Sequence, residues 1–322
     1  MSIAAQKKLM LSNGVEMPLI GLGTFDNVDE SALETALITN GYRLVDTAAN
    51  YDNEEVIGRV LARLLKGGKL RREDIFVTTK IWTTHLHPPR QEASLRESLQ
   101  KLQLDYVDLV LAHMPAACKP DFCITPEGPF EDDDTTIEEI WKGFESLYDK
   151  KLARAIGVSN WNPDQIQRAL KIARVPIHNN QIEVNLYWPQ YELVNFCQKN
   201  NIAVTSFGTL ASPGRYTFEE EKCCVFKRTP NPLEDTVVKR LAEKYGCAPG
   251  QILLRFCLER NIAVIPKSGN AVRQADNMAA GNLRLTPTEM VALENRPYRA
   301  RAFMQDFLAG SKEDPFVLER LE

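Results

Sequence analysis

The chain has 322 residues and a mass of 36.4 kDa, longer than most single domains but a length that α/β barrels reach around one core. Hydrophobic residues make up 44% and charged residues 25%, a balance that supports a sizeable core and excludes a disordered chain. A formal net charge of −4 and a pI near 5.8 exclude a global basic field for nucleic acid or an anionic membrane, so a small-molecule partner is expected.

The stretch from Met1 to Met10 holds no apolar core of signal-peptide length, and no apolar run approaches the roughly 20 residues that span a bilayer. A cytoplasmic monomer without a membrane or nucleic-acid partner is the expectation. The seven cysteines are Cys118, Cys123, Cys197, Cys223, Cys224, Cys247 and Cys257, an odd number partly inside helix-like segments. They are expected as free thiols. Neither Cys118/Cys123 nor Cys223–Cys224 has the two-pair spacing of a zinc site, and no metal is expected.

In chain order, Asn13-Gly14 between short apolar runs predicts a tight β-hairpin over about residues 7–18. Eight apolar runs then recur: Leu19 to Gly23, Arg43 to Asp46, Ile75 to Lys80, Val107 to His113, Ala155 to Ser159, His178 to Ile182, Ala203 to Phe207 and Ala263 to Lys267. Amphipathic stretches lie between them: Asp29 to Asn40, Glu54 to Leu65, Arg90 to Leu102, Ile137 to Lys150, Pro163 to Ala173 and Pro189 to Asn200. Strands alternating with helices imply a parallel sheet, either a doubly wound open sheet or a closed (β/α)₈ TIM barrel. Eight regular units with no second half favour the barrel, with one domain over 1–322.

Three segments break the rhythm: Met114 to Thr136, Gly208 to Leu233, and the tail from about residue 297 to 322. The first two follow strand ends and are expected as enlarged loops on the C-terminal face. The first loop and the tail are expected to meet as lids over the substrate. The acidic run Glu131 to Asp134 is expected as a solvated loop and helix start.

Polar residues recur at the ends of the apolar runs: Asp46, Lys80, His113, Asn160 beyond Ser159, and Lys267. Singly, each has a plain structural reading, such as a helix cap or a satisfied core histidine. Jointly, a barrel brings an acid, a lysine and a histidine from three successive strands into one charge-coupled cluster. Tyr51, five residues after Asp46, is placed to lean over it. Its phenol has an ordinary pKa of about 10, and a nearby Lys80 ammonium, held by Asp46, would favour the phenolate and make Tyr51 a better proton donor. His113 would orient the substrate oxygen. Gly21-Leu-Gly23 lacks the third glycine of a dinucleotide fingerprint, because residue 26 is Asp26.

These motifs resemble the aldo-keto reductase superfamily from the hairpin to about residue 297. The resemblance is carried by Gly41-Tyr-Arg-Leu-Val-Asp-Thr-Ala-Ala-Asn-Tyr51 with Asn53-Glu54, by Leu104-Asp-Tyr-Val-Asp-Leu-Val-Leu-Ala-His113, and by Ile156-Gly-Val-Ser-Asn160. Asn180-Gln-Ile-Glu183 and Ile265-Pro-Lys-Ser268 complete it. The resemblance implies a (β/α)₈ fold, NADPH-dependent reduction of aldehydes or ketones, and Asp46, Tyr51, Lys80 and His113 as the catalytic tetrad.

It also implies that Ser159, Asn160 and Gln181 meet the nicotinamide carboxamide and that Phe207 stacks on the ring where tyrosine is usual. Gly23 and Thr24 would line the cofactor, and Leu210 and Ser212 would fold over the pyrophosphate, although Gly208 and Thr209 depart from the commonest pattern. Lys267, Ser268 and Arg273 match the residues around the 2′-phosphate, with Asp276 and Asn277 near the adenine. Around the substrate, Phe25, Trp82 and Met114 join Tyr51 and His113. Phe25 and Met114 stand where tryptophan is common, which implies an apolar but softer pocket than in the sugar-aldehyde reductases. His85 and His87 are expected at the surface.

Three other readings stand beside a carbonyl reductase: an NADPH-binding regulatory module without turnover, a Schiff-base aldolase or isomerase with Lys80 as nucleophile, and a structural role.

Overall fold

The computed structural model describes residues 7–25, 29–120, 131–215 and 229–320. Strands β1 (Lys8–Met10) and β2 (Glu16–Pro18) pair antiparallel as the expected hairpin. Asn13 Oδ1 accepts the Val15 amide at 3.2 Å, and Gly14 takes a φ of +83° that its missing Cβ allows.

The remaining strands are β3 (Leu22–Gly23), β4 (Leu44–Asp46), β5 (Phe76–Ile81), β6 (Val107–Ala112), β7 (Ala153–Ser159), β8 (Asn179–Glu183), β9 (Ala203–Phe207) and β10 (Ala263–Val264). They form one sheet in sequence order with every pairing parallel. Bridges Ile20–Val264 and Gly23–Lys267 join its two edges, so the sheet closes into a (β/α)₈ barrel. Gly23 is required at that seam, since a Cβ there would lie 2.4 Å from the Ile265 carbonyl oxygen.

The six expected helical stretches are helices. The first is α1 (Glu30–Glu34) continued by a π turn over Thr35–Thr39, and the others are α2 (Glu54–Lys66), α3 (Pro88–Leu102), α4 (Ile137–Asp149), α5 (Pro163–Ile172) and α6 (Tyr191–Lys199). Helix α2 shows why: Glu54 and Glu55 open it, Arg63 and Lys66 close it, and Ile57, Val60, Leu61 and Leu64 turn inward at helical spacing. Helices at Thr236–Tyr245, Pro249–Glu259, Ala271–Ala279 and Pro287–Glu294 lay outside the expectation. The second is buried from Gln251 to Leu258, although its polar residues Gln251, Arg255 and Glu259 recur every four positions.

Two apolar layers result. Leu44, Phe76, Leu109, Leu111, Ala155, Ala263 and Ile265 fill the barrel, and Leu9, Leu11 and Met17 of the hairpin pack into the same cluster. The hairpin therefore plugs one end of the barrel, and the strands' C-terminal ends form the open mouth. A larger cluster lies between the sheet and the helices, with Trp141, Phe144 and Trp161 fully buried. Among the described residues no helix is long and apolar enough to cross a membrane.

Candidate active site

The barrel mouth gathers the strand-end residues. Asp46 closes β4, Lys80 lies one residue before the end of β5, His113 follows β6, and Gln181 lies in β8. Lys80 is 1% exposed, and its Nζ donates to Asp46 Oδ1 at 2.5 Å, to the Thr47 carbonyl oxygen at 2.9 Å and to the Tyr51 hydroxyl at 3.3 Å. All three ammonium protons thus have acceptors. Gln181 Nε2 donates to the other Asp46 oxygen at 2.7 Å. Asp46 is thereby held from two sides.

Tyr51 sits on a short 3₁₀ turn, Ala49–Tyr51, followed by Asp52 with a φ of +54°. Asn53 clamps that turn: its Oδ1 accepts the Thr47 hydroxyl at 2.6 Å and its Nδ2 donates to the Thr24 carbonyl oxygen at 2.6 Å. Thr24 in turn donates its hydroxyl to the Asp46 carbonyl oxygen at 2.8 Å, so β3, β4 and the tyrosine turn form one hydrogen-bonded unit.

Burial alone would lower the Lys80 pKa, but Asp46 and Tyr51 outweigh it and keep the ammonium charged beyond the usual range. Burial raises the Tyr51 phenol above its ordinary value and outweighs the Lys80 charge that pulls it down. Lys80 thus favours the phenolate, as expected, but does not offset burial, so Tyr51 carries its proton at neutral pH. Burial, with the Lys80 charge second, drives His113 well below the usual imidazole range. It is therefore neutral, and its Nδ1 has no hydrogen-bond partner among the described residues.

The expected substrate residues converge on these groups. Phe25, 47% exposed, stands edge-on to Tyr51 with ring centroids 5.1 Å apart. Trp82 stands edge-on to His113 at 4.9 Å and leans on Phe307 of the tail at 5.6 Å. Met114, Ala116, Cys118 and Leu308 form a small buried cluster beside Trp82 and Phe307. Phe307 and Leu308 were not singled out in the sequence; only the tail as a whole was expected as a lid.

The loop and the tail meet through the acidic run. Asp132 accepts the Ser311 hydroxyl at 2.8 Å and the Lys312 amide at 3.2 Å, Asp133 pairs with Arg90, and Asp134 pairs with Lys312. The run is a loop ahead of α4 with Glu131 and Asp134 exposed, and its carboxylates also accept the main-chain and hydroxyl donors at the seam between loop and tail. His85 and His87 are exposed, as expected. Cys118, Cys197, Cys247 and Cys257 are free, and burial first of all pushes the Cys118, Cys197 and Cys257 thiols up to about 11. Cys123, Cys223 and Cys224 lie outside the described residues.

The expected cofactor residues line the same mouth from β7 round to β10. Ser159 donates to the Gln181 carbonyl oxygen at 2.8 Å, and Asn160 Nδ2 donates to the His113 carbonyl oxygen at 3.1 Å and to Met114 Sδ at 3.4 Å. Asn160 Oδ1 is buried without a partner among the described residues, an acceptor available to an amide donor. Phe207 ends β9 half-buried, and Gly208 follows with a φ of +60°. Beyond Leu210, Ala211 and Ser212 also take positive φ, and the Arg215 guanidinium holds that bend through the Ala211 carbonyl oxygen and, at 3.3 Å, the Ser212 carbonyl oxygen. Thr209 turns inward to the Ser206 hydroxyl at 2.6 Å.

Lys267 and Arg273 are exposed at the start of helix Ala271–Ala279, which Asn270 caps by accepting the Arg273 amide at 3.0 Å. Ser268 accepts the Asn270 amide at 3.1 Å. Asp276 is half-buried there, whereas Asn277 is buried and pairs with the Tyr42 hydroxyl. Gln274 was missed: it is fully buried and donates to the carbonyl oxygens of Ser268 at 2.8 Å and Ala32 at 3.1 Å, tying this corner to α1. Glu183 and Asn53 lay within quoted motifs without an assigned role, and only their contacts assign one.

The barrel mouth thus holds a buried acid–lysine–tyrosine chain beside a neutral histidine. Residues 20–295 match the model of the Aldo/keto reductase family, and the chain belongs to that family. It is 40% identical over 288 residues to aldo-keto reductase family 1 member A1 of Gallus gallus, covering 87% of this chain and 85% of that one. It is 36% identical over 317 residues to a "Probable NAD(P)H-dependent D-xylose reductase" of Neosartorya fischeri, covering 95% and 97%. Among solved structures, the aldose reductase of Schistosoma japonicum superposes with a TM-score of 0.88 at 32% identity, covering 98% of this chain and all of that one. An aldo-keto reductase complexed with NADPH gives 0.85 at 33% identity, covering 97% and 94%.

Proposed function

We propose that this protein reduces aldehydes or ketones to alcohols with NADPH, Tyr51 acting as the general acid. The observation that carries the reading is the buried Asp46–Lys80–Tyr51 chain beside a neutral His113. The NADPH-complexed neighbour and the NAD(P)H-dependent relative support the cofactor.

The residues present fit that cofactor. Asn160 offers a buried acceptor for a carboxamide, Phe207 an aromatic face, and Lys267 and Arg273 exposed cations beside a helix N-terminus for a phosphate dianion. NADPH, when bound, supplies the hydride that adds to the carbonyl carbon. Tyr51 then gives its hydroxyl proton to the carbonyl oxygen, and the Lys80 ammonium 3.3 Å away stabilises the phenolate left behind. Asp46 and the Thr47 carbonyl oxygen keep that ammonium charged and in place. His113, neutral, offers a ring N–H to orient the substrate oxygen. Phe25, Trp82, Met114 and Phe307 favour substrates with an apolar body around the carbonyl.

A Schiff-base role for Lys80 is opposed by the same geometry, because an amine held as ammonium by Asp46 has no lone pair for attack. The reading carries a cytosolic monomer, and the acidic net charge supports a small molecule rather than nucleic acid as its partner. A panel of aldehydes, ketones and quinones followed by loss of NADPH absorbance tests it. Steady turnover ranked by kcat/KM is expected, and NADPH binding without turnover on any carbonyl would favour the regulatory-module reading instead.

A further inference from the structure

Glu183 is an unexpected residue to find in the barrel. It is the last residue of β8, two positions beyond Gln181, and it is fully buried. Its carboxylate does not face the Asp46–Lys80 cluster. Instead Oε1 accepts the Ala302 amide at 2.7 Å and Asn185 Nδ2 at 3.0 Å, while Oε2 accepts the Phe303 amide at 2.9 Å and lies 4.0 Å from Arg301. A strand that carries cofactor-side residues therefore grips the C-terminal tail by its backbone, across 119 residues of sequence for Ala302. Arg301 is fixed in turn, stacked over Trp188 and Phe316 and paired with Glu319.

That grip sets the position of Phe303. Its ring lies 5.9 Å from the ring of Phe207, the residue opposite Glu183 in the β8–β9 register. Phe303 also covers Gly208: a Cβ there would meet Phe303 Cε2 at 3.1 Å, and the φ of +60° already disfavours any side chain. Gly208 is one of the two departures noted in this loop, and its place beneath Phe303 gives a physical reason for it.

We infer that Glu183 is a positioning residue that holds the C-terminal tail, through Phe303, against the Phe207–Gly208 wall of the cofactor site, so that the tail controls cofactor exchange as well as covering the substrate. The inference rests on the proposed use of NADPH. The carboxylate is suited to the task because one anion accepts consecutive main-chain amides, which fixes backbone direction, whereas a side-chain contact would fix only a ring.

The test compares Glu183→Gln and Phe303→Ala with the wild type by NADPH fluorescence titration, stopped-flow NADP⁺ release and single-turnover hydride transfer. Glu183→Gln turns an NH₂ group toward main-chain donors and loosens the tail. Phe303→Ala removes the contact but leaves the carboxylate and its hydrogen bonds in place, so it carries the test if the first variant fails to fold. Both are expected to release NADP⁺ about tenfold faster, which for Glu183→Gln is the scale of a lost charge-assisted hydrogen bond and for Phe303→Ala that of a lost buried aromatic contact, with single-turnover hydride transfer changed by less than about threefold. A purely structural Glu183 would lower the melting temperature and leave the release rate of the folded protein unchanged. Release rates within about twofold of wild type in folded variants overturn the inference while leaving the reductase reading intact. Failure of the wild type itself to bind NADPH overturns both.

Discussion

The two ends of the barrel use the same strands for opposite purposes. At the hairpin end, Leu9, Leu11 and Met17 pack with Leu44, Phe76 and Leu109, and the interior is apolar. At the mouth, β4 and β5, which also supply Leu44 and Phe76 to that cluster, present Asp46 and Lys80, and β8 presents Gln181, all buried but polar and each matched by a partner. One end is held by volume and tolerates no chemistry. The other gives up apolar burial for a charge network whose members are held by hydrogen bonds. Substitutions at the first should therefore change stability alone, and substitutions at the second should change rates.

The largest effect is expected at the mouth. Tyr51→Phe keeps the ring edge-on to Phe25 and His113 but deletes the proton, and kcat for carbonyl reduction should fall about 10²- to 10⁴-fold. NADPH affinity and the unfolding midpoint should hardly move. Because burial raises the Tyr51 pKa, its protonated form persists through neutral pH, and reduction should decline only on the alkaline side of about pH 10. His113, already neutral, should contribute no step between pH 6 and 8. A Tyr51→Phe protein that reduced aldehydes at near wild-type kcat would erase the distinction between the two ends.

At the plugged end, Leu109→Ala leaves a cavity among the barrel side chains and should destabilise by about 2–5 kcal/mol in denaturant titration. KM and kcat at temperatures well below the transition should match wild type. A large kinetic change with little loss of stability would show that the ends are coupled.

The smallest effect belongs to the rim. Arg273 is exposed, so Arg273→Ala should leave stability unchanged and weaken NADPH binding by about 1.5–3 kcal/mol, with NADH nearly unaffected. Equal losses for both cofactors would remove the 2′-phosphate assignment.

What the sequence determined was the repeat and its endpoints. Eight apolar runs, the Asn13-Gly14 turn, and Asp46, Lys80 and His113 at strand ends are local facts, legible because strand period and turn chemistry act over a few residues. The helix Pro249–Glu259 went unread although Gln251, Arg255 and Glu259 recur every four positions, and only the packing shows that even these polar turns are largely buried. The tertiary structure alone decided the rest. It closed the sheet through Gly23 against the Ile265 carbonyl oxygen, and it set the burial that keeps Tyr51 protonated despite Lys80. It also brought Glu183 to the amides of Ala302 and Phe303, and Asp132 to Ser311 and Lys312. Those contacts join residues more than a hundred positions apart, and desolvation depends on every neighbour at once, so no local pattern in the chain encodes either.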